Sequence, residues 1–99
     1  MTAYVIAEVD VRDPELYRDY AKLTPGSITR HGGRFLVRGG TIEALEGAPP
    51  KRVVVLEFAD AEAARRWYHS PDYAEARAIR ERAAVSRLFI VEGAGPCVL

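Results

Sequence analysis

Residues 3–15, Ala3-Tyr4-Val5-Ile6-Ala7-Glu8-Val9-Asp10-Val11-Arg12-Asp13-Pro14-Glu15, contain a strand, its end and the start of a helix in one run. Small apolar residues occupy the odd positions from Ala3 to Val11, while Tyr4, Ile6, Glu8 and Asp10 make the even positions a mixed face. A period of two is the signature of a half-buried strand. Asp13-Pro14-Glu15 then opens a helix. Asp13 is the N-cap acceptor, Pro14 sits in the first turn where its missing N–H is harmless, and Glu15 lies near the positive end of the dipole.

Working outward, Leu16, Tyr17, Tyr20, Leu23 and Thr24 continue one helix face. Pro25 interrupts it, because proline removes a helical hydrogen bond and crowds the preceding turn. The pattern predicts a kink there, or a restart capped by Thr24, with helix continuing through Ile28 to His31. Gly32-Gly33 closes it, since glycine accepts the left-handed conformation found at helix ends. Arg34–Arg38 reads as a short strand, Gly39-Gly40 as a turn, and Thr41–Leu45 as a hairpin arm or an irregular strip. Gly47-Ala48-Pro49-Pro50 is a loop, and Arg52–Phe58 is the strongest strand, with Val53-Val54-Val55-Leu56 apolar on both faces.

Asp60 caps a second helix carrying Ala64, Trp67 and Tyr68. Ser70-Pro71-Asp72 repeats the cap–proline–acid signature and starts a third, with Tyr73, Ala76, Ile79 and Ala83 on its inner stripe. Arg87–Glu92 is the last strand. The order β-α-β-β-α-β, its second helical section in two pieces, makes the chain one α+β domain over residues 1–99. It fits an antiparallel four-stranded sheet with helices on one face, the ferredoxin-like arrangement. Strands 53–58 and 88–91 are apolar on both faces, yet one helix layer covers only one. A large exposed apolar patch is rare on monomers, so a homodimer is expected.

Lys+Arg and Asp+Glu are both 14, and no basic stripe or tail exists, which argues against nucleic acid as a partner. The longest uncharged stretches are far below the ~20 residues a membrane helix needs. The start meets Glu8 and Asp10 without a basic, apolar leader, so neither a secretory signal nor a membrane partner is expected. The single cysteine, Cys97, has no internal partner, and a cytoplasmic location is the default. Asn and Gln are absent and 12 of the 14 basic residues are Arg, a bias that fits a GC-rich genome or adaptation to heat.

Asp13-Pro14-x-x-Tyr17-x-x-Tyr20, the run Gly32–Gly40, Leu45-Glu46-Gly47, Glu57-Phe58, Ala64-x-x-Trp67-Tyr68-x-Ser70-Pro71-x-Tyr73 and Arg77-x-x-Arg80 follow one another in a familiar order. Together they resemble a bacterial family known as a domain of unknown function, number thirteen-thirty, of the dimeric α+β barrel superfamily. The resemblance runs from Tyr4 to Gly93. It implies a ferredoxin-like subunit whose sheet packs on its twofold mate, and no established activity. The wider superfamily holds cofactor-free monooxygenases, haem-degrading enzymes, isomerases and ligand-sensing domains, so no one chemistry transfers with the fold.

The residues themselves offer few reactive groups. His31, His69 and Cys97 stand too far apart to suggest a metal site, which needs about three converging ligands. Cys97 in the tail reads as an inert thiol, and Gly93-Ala94-Gly95 is followed by Pro96 rather than a helix, so no dinucleotide is expected. No metal or cofactor is expected. His69 reads as a surface residue, and Arg77 and Arg80 as solvated ion pairs on the last helix.

Two clusters remain. Arg34 and Arg38 share strand parity with Leu36 and should face one side, either paired with Glu8, Asp10 or Glu57, or gripping an anion. Tyr17, Tyr20, Ile28 and His31 recur at helical spacing, either as core or as a pocket wall with His31 as the neutral-pH acid–base group. The site reading unites them. Tyr17, Tyr20, Arg34, Arg38, Glu57 and Trp67 would bind a small aromatic or anionic molecule between sheet and helices, and His31 would act catalytically. The competing reading is a non-catalytic dimeric module that senses a ligand or serves a partner protein.

Overall fold

The computed structural model describes residues 1–95, and Cys97 lies outside them. Strand β1 (Ala3–Val11) runs through the sheet interior, and Asp13 caps helix α1 (Pro14–Arg30) by accepting from the Leu16 N–H at 3.1 Å. Strand β2 (Arg34–Arg38) and strand β3 (Arg52–Phe58) follow, then helix α2 (Ala61–Tyr68) and helix α3 (Pro71–Ala83), then strand β4 (Ala84–Glu92). Asp60 and Ser70 cap α2 and α3 as the sequence predicts.

The sheet order is β2-β3-β1-β4, every pair antiparallel, which makes the fold ferredoxin-like. Register places Val5 opposite Leu56 on one side and Ile90 on the other, all facing the helices. Ala3, Val5, Ala7 and Val9 are buried and the even residues of β1 half-buried, as the alternation requires, with Val11 half-buried at the strand end. Val5, Ile28, Leu56, Phe58, Trp67 and Tyr73 form the main core between sheet and helices.

One boundary differs from the sequence reading, and one open alternative closes. α1 is one helix through Pro25, so the restart at Thr24 does not occur. The Thr24 hydroxyl, read as a possible cap, instead donates to the Tyr20 carbonyl at 2.7 Å. β4 starts at Ala84 and not Arg87, because α3 passes into it with no intervening turn; the Ala83 carbonyl there accepts from the Arg12 and Asp13 N–H groups at 2.8 and 2.9 Å. Thr41–Leu45 forms no strand.

The Cα envelope measures 44 × 37 × 16 Å, the depth of one sheet and one helix layer. All three helices lie on the face of the odd β1 residues, so the other face, with Ile6, Val37, Val55, Phe89 and Val91, has no helical cover. Among the described residues, no helix is long and apolar enough to cross a membrane.

Candidate functional site

A small cavity lies between α1 and the sheet. β1 supplies Val5, Ala7 and Val9, whose short side chains leave space beneath the helix. α1 supplies Tyr17, Tyr20, Ala21 and Thr24, the one-face series expected of a helix lying on a sheet. Phe35 and Arg38 come from β2, and Arg52, Val54 and Leu56 from β3, with Trp67 and Leu88 closing the far side. Its volume is about 30 Å³, room for water and little more.

The shared parity of Arg34 and Arg38 fails, and a β-bulge is the reason. Arg34 pairs with Glu57 and Phe35 with Leu56, but Val37 pairs with Val55, so β2 carries one extra residue between Phe35 and Val37. The extra residue reverses the alternation. Arg34 therefore lies on the open face, where its Nε donates to Glu57 Oε1 at 2.7 Å, and that bond together with the Glu57 charge holds its pKa up. Arg38 turns to the helix side, its guanidinium 4.4 Å from the Phe35 ring centroid and its Nη2 donating to the Ala21 carbonyl at 3.1 Å.

Of the seven residues proposed to share one cavity, Tyr17, Tyr20, Arg38 and Trp67 line it, while Arg34 and Glu57 form an ion pair on the opposite face. His31 also stands apart. It caps the C-terminus of α1, and its Nε2 lies 3.2 Å from Asp72 Oδ2 at the start of α3. Arg30 meets the same carboxylate at 3.4 Å, so His31 belongs to a junction between two helix ends. The expectation of a single seven-residue cavity is corrected on both counts.

Arg52 is the charged lining residue that the sequence reading left out, because it looked like the polar start of a strand. Register sets it opposite Val9 on the helix side, with its guanidinium 5.6 Å from the Tyr17 ring centroid. It occupies the space beside Gly39, where any Cβ would collide with it and where φ of 69° already favours glycine. Its Nε is buried without a hydrogen-bond partner. Among the described residues, no carboxylate pairs with Arg38 or Arg52.

Behind the cavity the aromatic groups are locked by hydrogen bonds. Trp67 Nε1 donates to Ser27 Oγ at 3.0 Å, and that hydroxyl donates to the Thr24 carbonyl at 2.7 Å. The Tyr20 and Tyr73 hydroxyls are 2.8 Å apart. Burial first, then the Tyr73 charge, pushes the Tyr20 phenol well above its ordinary pKa, and burial raises that of Tyr73 too. Arg80 joins this network and is not a solvated ion-pair residue: it is 5 % exposed and donates from Nε to the Tyr73 hydroxyl at 3.4 Å. Among the described residues, no group of three or more His, Cys, Asp and Glu is placed to hold a metal.

The order of motifs and the sheet topology agree with a family model spanning residues 2–94, described as Domain of unknown function (DUF1330). The chain belongs to that family. Its fold is similar to that of a protein of unknown function from Rhodopseudomonas palustris, at 24% identity and a TM-score of 0.77, over 96% of this chain and 84% of that one. It is also similar to a dimeric ferredoxin-like protein of unknown function from Jannaschia sp., at 10% identity and a TM-score of 0.72, covering 94% and 100% of the two chains. A third similar structure is the cofactor-independent oxygenase SnoaB of Streptomyces nogalater, at 16% identity and a TM-score of 0.64 over 93% and 92%. These likenesses show the DUF1330 chain's fold alone. No curated protein matches its sequence.

Proposed function

We propose that this member of the family is a cytoplasmic, homodimeric binding module, each subunit taking one small aromatic or apolar molecule with an anionic group into the cavity beneath α1. The observation that carries the reading is Arg52, whose buried Nε has no partner in a cavity otherwise walled by apolar and aromatic side chains. A buried cationic donor without an acceptor is costly, and an anionic ligand supplies the acceptor. Arg38 stands beside it as a second fork, and Tyr17, Tyr20 and Trp67 offer aromatic walls. Apolar lining with a few convergent polar groups is the usual form of a small-molecule site.

The volume of about 30 Å³ means that a ligand enters by moving something. Arg38 is exposed and Arg52 half-buried, and both are long flexible side chains, so they are the parts that swing outward with the ligand's charge. The lining includes no carboxylate and no histidine, and the Tyr20 phenol is held neutral by its burial. A general base must reach the proton it removes, so the cavity favours binding over proton transfer.

The open sheet face supports the homodimer. Val55, Phe89 and Val91 make it apolar, and the Arg34–Glu57 and Arg87–Glu8 pairs add charged groups beside them. A second copy of the same sheet covers such a face, as in the similar protein described as dimeric.

The test is a crystal soaked with benzoate. The reading expects its ring against Tyr17 and Trp67 and its carboxylate within hydrogen-bonding distance of Arg38 or Arg52. Benzoate density elsewhere, with the cavity unchanged, would contradict it.

A further inference from the structure

Arg80 poses a separate question. It is 5 % exposed, and among the described residues no carboxylate pairs with it. Burying a charge is costly unless an opposite charge or a full set of hydrogen bonds compensates it. Arg80 has only hydroxyls: Nε donates to Tyr73 at the long distance of 3.4 Å, and Nη1 donates to Ser86 Oγ. Nη2 makes no hydrogen bond to a described residue and is not closed off from solvent, so it is a donor free to take a ligand.

The unused donors adjoin a recess of about 410 Å³ where α3 turns into β4, with Tyr68, Glu81 and Leu88 around Arg80 and Ser86. We infer that Arg80 and Ser86 form a second site, for a small oxyanion such as a carboxylate or phosphate, distinct from the cavity beneath α1. The Ser86 oxygen accepts from Arg80, so its own O–H is left to donate. The guanidinium adds a planar fork that matches two oxygens of one anion. Arg77 strengthens the field near the rim, its guanidinium 4.4 Å from the Tyr68 ring centroid. Glu81, 4.0 Å from Arg77, opposes it and selects for anions of low charge.

The experiment is a titration of the full chain with sodium phosphate, and separately with sodium acetate, at constant ionic strength set by sodium chloride. The readouts are the NMR signals of the arginine Nε–H groups and the Ser86 amide. The expected result is a saturable shift of the Arg80 and Ser86 signals that survives in the Arg38→Gln/Arg52→Gln double variant. Ser86→Ala should weaken it about tenfold, one hydrogen bond to a charged group, and Glu81→Gln should strengthen it. Ser86→Ala is chosen because truncating Arg80 would leave a hole in the core, and the dispersion of the same spectrum reports that the variant is folded. No saturable shift with either anion would overturn the inference. So would a shift that disappears in the double variant and persists in Ser86→Ala.

Discussion

Arg38 Nη2 donates to the Ala21 carbonyl at 3.1 Å, and Ala21 stands four residues before Pro25. In an uninterrupted helix that carbonyl accepts from the N–H of residue 25, which proline lacks. Arg38 therefore supplies from β2 the donor that Pro25 withholds, and α1 passes through the proline as one helix. The same bond aims the guanidinium at the cavity mouth. Arg38→Met should therefore cost roughly 0.5–1.5 kcal/mol in the natural chain, the ordinary value of one hydrogen bond. In a Pro25→Ala background, which restores the N–H, the cost should vanish. A double-mutant cycle by urea unfolding measures the difference.

Trp67 and Ser27 give a larger effect. The indole N–H is buried and donates to Ser27 Oγ at 3.0 Å. Ser27→Ala leaves it unsatisfied and should destabilise by about 1–3 kcal/mol. Denaturant melts followed by circular dichroism check this, and a variant as stable as the parent would show that the indole finds another acceptor.

The helix caps should separate by burial. Asp13 and Ser70 each accept one N–H, but Ser70 is buried and also donates to the Trp67 carbonyl at 2.7 Å. Loss of a cap acceptor costs roughly 0.5–2 kcal/mol. Thermal melts should place Asp13→Ala at the low end and Ser70→Ala at the high end.

The sheet itself was legible from composition and period. β1 has the predicted bounds because its residues alternate, β3 because it is a continuous β-branched apolar run, and all three N-caps follow from Asp13, Asp60 and Ser70. The site was legible only in part. Tyr17, Tyr20 and Trp67 fall on the cavity because helical spacing survives folding, whereas the single extra residue in β2 inverts every parity argument after Phe35. Nothing in the local sequence marks that bulge. Arg52 and Arg80 were missed for a related reason: single-chain patterns treat arginine as exposed, and only the register and the packing of α3 reveal these two turned inward.

The dimer is tested by size. Light scattering at micromolar concentration should give twice the 11.0 kDa chain mass, from an interface above the ~1,200 Å² lower bound of standard interfaces. Val55→Asp places a charge in the middle of the open face and should yield a folded monomer. A natural chain that is monomeric under these conditions would refute the covered-sheet account.

The central claim is that Arg52 awaits an anion in an aromatic-walled cavity, and Trp67, the one tryptophan, is placed to report on it. The decisive measurement is a fluorescence titration of Trp67 with benzoate and, in parallel, with benzyl alcohol. The account predicts saturable change with benzoate, binding of benzyl alcohol weaker by about tenfold or more for want of a charge-assisted hydrogen bond, and loss of that preference in Arg52→Gln. Equal affinity for the two compounds, or a benzoate preference that survives in Arg52→Gln, would contradict it.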